Sequence, residues 1–176
     1  IKAWKALYGP PKEIFFSQHY YPGQWACSDF TCMNELNITI AQQPFEHLFY
    51  HFVLCYSNWQ AGRICFSESF ESLSLGIQDA LWKLGGVPFF HRTDNLTSAV
   101  HKVGHPDIFT DKYRGLASHY GFASSKTNPS SPHENGDVER SNGLFKNAVD
   151  QSLIIRGSRD FDSFEEYEKF LQKIID

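Results

Sequence analysis

His47-Leu48-Phe49-Tyr50-His51-Phe52-Val53-Leu54-Cys55-Tyr56 is almost continuously apolar and aromatic, without the alternation of a strand that wets one face. Such a run reads as a strand buried on both sides. Its aromatic rings would also suit base stacking, but the unbroken apolar pattern favours a core strand. Working outward, Ser57-Asn58 marks a turn and residues 61–67 read as the next strand, giving an antiparallel meander. Upstream, after a turn near Gln42-Gln43-Pro44, lies the β-prone stretch Trp25-Ala26-Cys27-Ser28-Asp29-Phe30-Thr31, with a single acid inside it.

Downstream, residues 70–84 carry Leu73, Ile77, Ala80, Leu81 and Leu84 on one helical stripe, and Gly85-Gly86 supplies the stop. Val87-Pro88-Phe89-Phe90-His91 predicts a short strand that delivers Thr93-Asp94-Asn95 at its end. A short helix over 96–102, a loop and helix over 104–120, and a strand at Phe122-Ala123-Ser124 follow. Asn128-Pro129-Ser130-Ser131-Pro132 sits in a breaker-rich loop, after which a long helix is expected from about 134 to 155. A last helix spans 163–175, with Ser163 as its cap and Glu166 three residues on, as in a capping box. This order predicts a mixed α/β fold around a central five-stranded sheet. Residues 1–22, with Pro10-Pro11 and Pro22-Gly23, read as an irregular lead-in, 23–160 as the core and 161–176 as a C-terminal helix.

Composition narrows the possibilities. With 41% hydrophobic and 16% aromatic residues the chain can build a core, and no apolar run approaches bilayer length. The only methionine is Met33, so the chain reads as a piece of a longer protein. A net charge of −4 counts against gripping nucleic acid by bulk electrostatics, so any such role needs a local site or modules elsewhere. Cys27, Cys32, Cys55 and Cys65 form no CxxC pair, which points to reduced thiols and a cytoplasmic setting. A zinc site would need clustered Cys and His, and the histidines are scattered.

Two acids at strand positions stand out. Asp29 lies within the first strand, and Asp94 where the fourth leaves the sheet, a usual place for ligand groups in α/β folds. Each has a plain reading alone: a hydrogen-bonded turn acid, and a cap for the next helix. A third element joins them, Ser131-Pro132-His133-Glu134-Asn135-Gly136-Asp137-Val138-Glu139-Arg140-Ser141-Asn142, leading into a helix that carries Lys146. There Glu139, Gly143, Lys146 and Asp150 share one face, while Val138, Phe145, Val149 and Leu153 share another that should pack on the sheet. Gly143 would serve either a close substrate approach or a tight helix contact.

This third stretch resembles the motif that closes the active site in retroviral integrases and related transposases. Together with Thr31-Cys32-Met33-Asn34-Glu35-Leu36, Tyr56-Ser57-Asn58-Trp59 and Thr93-Asp94-Asn95-Leu96, it looks most like the IstA-like transposases of bacterial insertion sequences, over roughly residues 20–160. The resemblance implies a ribonuclease-H-like fold and metal-dependent 3′-end cleavage and strand transfer of DNA, with Asp29, Asp94 and Glu139 as the catalytic acids. Glu134 is the rival for the third acid and Asp137 a weaker one, because 139 − 94 = 45 positions exceeds the spacing in retroviral integrases. Glu139 is preferred for its Val-Glu-Arg context and its place one turn inside the helix.

Carboxylates suit two Mg²⁺ or Mn²⁺ ions, which favour hard oxygen donors and promote in-line displacement at phosphorus. The resemblance implies that Lys146 contacts DNA; Arg140, Lys126 and His133 are further candidates at the substrate. It also implies an N-terminal helix-turn-helix region, multimers, an AAA+ helper ATPase, and a bacterial, nucleoid-associated cytoplasmic location. A ribonuclease-H-type nuclease that cuts without joining, and an inactive relic that binds DNA or partner subunits, are the competing readings.

Overall fold

The computed structural model describes residues 19–93, 106–125 and 136–176, with the backbone alone at 106–110 and 136–137. Along the described residues the elements are β1 (Trp25–Cys32), β2 (Thr39–Ile40), β3 (Gln43–Pro44), β4 (Leu48–Leu54), β5 (Gln60–Cys65), α1 (Phe70–Leu84), β6 (Phe90–Thr93), α2 (Pro106–Tyr120), β7 (Ala123–Ser125), α3 (Gly136–Arg156), β8 (Asp160–Phe161) and α4 (Phe164–Ile175). The main sheet has five strands in the order β5-β4-β1-β6-β7. β4 runs antiparallel to both β5 and β1, and β6 and β7 are added parallel to β1. None of the described helices is long and apolar enough to cross a membrane.

β4 shows why its sequence does not alternate. Side chains along a strand point to opposite faces in turn. Tyr50, Phe52 and Leu54 pack with Leu73, Ile77, Ala80 and Leu81 of α1 and Tyr113 and Ala117 of α2. Phe49, on the other face, packs with Phe145, Val149 and Leu153 of α3 and Tyr167, Leu171 and Ile175 of α4. Both faces are covered by helices, so polarity has no place along the strand. Asp29 pairs with His51 across the β1/β4 ladder, which places both on the face covered by α3.

α1 occupies the residues its periodicity predicts. Ser69 caps it by accepting from the Ser72 N–H at 3.2 Å, and Gly85 closes it in the left-handed region at φ 70°. Gly76 sets how closely this helix lies on the sheet, since a Cβ there would fall 2.2 Å from Cδ1 of the fully buried Tyr50. Gly76→Ala is therefore expected to destabilise the fold by about 1–3 kcal/mol through overpacking, despite alanine's better helix propensity. A urea-denaturation midpoint at or above that of the wild type would contradict this.

Two local expectations are corrected. The strand placed at 87–91 forms at 90–93 instead. Pro88 has no N–H to give a ladder, and the paired register with β1 starts at Trp25, the partner of Phe90. A second, three-stranded sheet, β3-β2-β8, was not foreseen. Its strands are two residues long, too short to carry periodicity, and Asp160 ties them together by accepting from Thr39 Oγ1 at 2.6 Å and the Gln42 N–H at 2.9 Å. At α4, Ser163 accepts from the Glu166 N–H as a cap should. The Glu166 carboxylate, however, reaches back to the Asp162 N–H, one residue earlier than a capping box requires.

Candidate active site

Asp29 is half-buried in the middle of β1. The element that meets it is α3, whose inward stripe is Val138, Asn142, Phe145, Val149 and Leu153, all buried. The spacings of four, three, four and four residues keep this stripe on the sheet. Asn142 is its one polar member. The Asn142 amide Nδ2 donates to Asp29 Oδ2 at 3.1 Å, and its Oδ1 faces His51 Nδ1 at 2.7 Å. His51 Nε2 in turn lies 2.9 Å from Gln60 Oε1. A polar chain thus runs from β1 through α3 and β4 to β5. Burial lowers the pKa of His51, and its hydrogen bonds to Asn142 and Gln60 oppose that shift.

Glu139 precedes Asn142 by three residues, one turn of α3, and is exposed. Its helix face is therefore adjacent to the one that touches Asp29. Thr93, at the end of β6, is buried and pairs with Ser28, the residue before Asp29. Asp94 is next in the chain and lies outside the described residues, as do Lys126, His133 and the rival acid Glu134; the side chain of Asp137 also falls outside them. Two of the three expected acids, Asp29 and Glu139, thus stand on elements joined by Asn142. Among the described residues no group of three or more His, Cys, Asp or Glu side chains comes together as a metal site. The chemistry of Asp29 and Glu139, both carboxylates, suits a hard divalent cation rather than zinc.

Of the expected DNA contacts, Arg140 is exposed and borders a groove of about 420 Å³ with Asn58, Gln60, Ser141 and Leu144. Lys146 Nζ pairs with Glu35 Oε1 at 2.6 Å, its side chain 25% exposed against 65% for Glu35. An ion pair this exposed contributes at most about 1 kcal/mol, so it can yield to a phosphate. A Cβ on Gly143 would meet nothing within 4 Å, so a tight helix contact is not what this glycine serves among the described residues. Gly143→Ala is expected to raise stability by about 0.5–1 kcal/mol through helix propensity. A lowered thermal midpoint would show that the position is constrained from within the chain.

Asn142, His51 and Gln60 were missed at the level of sequence. The signal for Asn142 was nevertheless present: it falls four residues after Val138 and three before Phe145, a polar side chain at a core position.

No family model matches the chain. It is 40% identical over 179 residues to uncharacterized protein y4jA/y4nE/y4sE of Sinorhizobium fredii (strain NBRC 101917 / NGR234), a match that takes in 99% of this chain and 35% of that protein. The chain thus spans about a third of that relative's length. Among solved structures it resembles a chain of the simian T-cell lymphotropic virus intasome in complex with PP2A regulatory subunit B56 gamma, with TM-score 0.68, 16% identity, and coverage of 94% of this chain and 53% of that one. It also resembles the HTLV-2 integrase catalytic core domain in complex with magnesium, in its dimeric form (TM-score 0.55, 18% identity, 78% and 76% of the two chains). The BIV integrase catalytic core domain gives TM-score 0.58 at 14% identity, covering 87% and 81%. The fold is that of integrase catalytic cores, a ribonuclease-H-like mixed sheet flanked by helices.

Proposed function

We propose that this chain is the catalytic core of an IstA-like DNA transposase that cleaves 3′ ends and joins them to target DNA. The observation that carries this reading is the hold of α3 on Asp29 through Asn142, one turn after Glu139, within an integrase-core fold. Asp29, Asp94 and Glu139 would hold two Mg²⁺ or Mn²⁺ ions. The chemistry such ions supply when bound is activation of the attacking oxygen and stabilisation of the leaving oxygen in an in-line displacement at phosphorus. Magnesium accompanies the HTLV-2 core, which supports a divalent ion here by analogy of fold.

The chain's own residues do the positioning. Asn142 fixes one oxygen of Asp29, and the one-turn offset along α3 keeps Glu139 on the solvent side, where a DNA strand can reach it. Lys146, on the same outer face, exchanges Glu35 for a backbone phosphate, and Arg140, Lys126 and His133 are further candidates for contact with the substrate. Lys146→Ala should weaken DNA binding across sequences and lower the slope of log K against log salt by about one. An unchanged slope would remove Lys146 from the interface. The HTLV-2 core has been solved in dimeric and trimeric forms, which supports an oligomer. A helix-turn-helix region and an AAA+ helper ATPase belong to the same proposal for the longer protein.

The test is a titration of Mg²⁺ and Mn²⁺ by calorimetry, with nicking and joining of end-bearing DNA assayed alongside. The reading expects metal binding, nicking and joining together. Nicking without joining would indicate a nuclease, and DNA retention without metal-dependent nicking a binding relic.

A further inference from the structure

Four polar groups form one continuous chain, with His51 and Asn142 buried between the half-buried Asp29 and Gln60. His51 is 0% exposed, on β4, directly across the ladder from Asp29. A buried imidazole among Phe49 and Phe145, with ring centroids 6.1 and 5.4 Å away, costs stability unless its nitrogens are satisfied. Both nitrogens are satisfied by side-chain amides, Asn142 at Nδ1 and Gln60 at Nε2.

The directions of these bonds are constrained. A carboxylate only accepts, so Asn142 must turn its Nδ2 toward Asp29 and its Oδ1 toward His51. The ring must then carry a proton on Nδ1. Turning the Asn142 amide over would set oxygen against oxygen at Asp29, whichever tautomer the ring adopted. As placed, Gln60 Oε1 also calls for a proton on Nε2, giving a charged ring that burial opposes. A half-turn of the Gln60 amide lets it donate to Nε2, which suits the neutral Nδ1–H tautomer. In either arrangement Nδ1 is a donor, and Gln60 at the surface groove holds the ring that supplies it.

We infer that His51 and Gln60 are positioning residues: they fix the Asn142 amide and through it the orientation of the Asp29 carboxylate. This rests on the reading of Asp29 as a metal-holding acid. Partners of this kind behind a ligand are commonly worth 10–100-fold in metal affinity or activity.

The experiment follows the Asn142 side-chain amide by ¹⁵N–¹H NMR and Mn²⁺ affinity by calorimetry, in the whole chain, with Asp29→Asn as the reference. In His51→Leu the amide resonance moves toward the position of a free amide and Mn²⁺ affinity falls about 10- to 100-fold. His51→Asn, whose amide can donate from near the Nδ1 position, restores both. Gln60→Met, at a partly exposed site that tolerates change, moves both in the same direction by less, and tests the relay even if His51→Leu does not fold. An Asn142 amide unmoved in His51→Leu and Gln60→Met overturns the inference. So does a moved amide with undiminished Mn²⁺ affinity in a protein whose affinity depends on Asp29. If instead Asp29→Asn binds Mn²⁺ as the wild type does while the amide moves as expected, the metal reading fails and the relay stands.

Discussion

Asp29→Asn is expected to lower metal-dependent nicking by roughly 10³-fold, a loss of about 4 kcal/mol of transition-state stabilisation, while leaving the chain folded. Asparagine keeps the shape of the side chain and an oxygen that can still accept from Asn142 Nδ2, so the contact between β1 and α3 survives. What it removes is the charge, and a divalent cation needs that charge to leave its hydration shell. A neutral hydrogen bond in place of a charge-assisted one costs about 1 kcal/mol, which a melting curve would register as a small shift. Calorimetry and a nicking assay check the two halves separately. Asp94→Asn should behave in the same way, and Glu134→Gln should spare the activity that Glu139→Gln destroys. Wild-type nicking by Asp29→Asn would sink the assignment, and the reverse result at the two glutamates would transfer the third role to Glu134.

Mild acid should unfold this protein more readily than its carboxylates alone would suggest. His91 is buried in the core, its ring stacked on Phe52 at 5.5 Å and its Nδ1 2.6 Å from the Tyr113 hydroxyl. Burial drives its pKa down from 6.5 to about 3. Between those values the unfolded chain takes up a proton that the folded chain refuses, so stability rises with pH across this window and is lost as pH falls. One unit of pKa difference is about 1.4 kcal/mol, so at pH 4.5 His91 alone removes on the order of 3 kcal/mol. That is a large part of the 5–15 kcal/mol typical of a domain. Burial shifts His47 and His51 in the same direction. His91→Gln, which can keep a partner for Tyr113, should flatten the dependence of the urea midpoint on pH between about 6.5 and 4. An unchanged slope would mean that another group carries the acid sensitivity.

The large elements were legible because their signals are local. Residues 70–84 carry a stripe, a cap and a glycine stop within one window, and the helix forms over those residues. The doubly buried β4 and the inward stripe of α3 were readable for the same reason, as runs or periods of apolar side chains. The start of β6 was not, because it depends on where β1 offers a partner. The polar chain behind Asp29 was not either: Asn142 meets residues 113 and 91 positions away, and no periodicity reports such a contact. Of the expected site, Asp29 and Glu139 stand on joined elements, while Asp94, Lys126 and His133 fall outside the described residues.

The rotational setting of α3 has a consequence for chain length. Its azimuth is clamped from within, by apolar side chains sunk between sheet and α4 and by the amide of Asn142. The direction of Glu139 is therefore set by the packing of α3 itself. Any turn of the helix would pull its whole apolar stripe out of the core. The spacing of 45 positions between Asp94 and Glu139, longer than in retroviral integrases, does not by itself change how α3 presents Glu139.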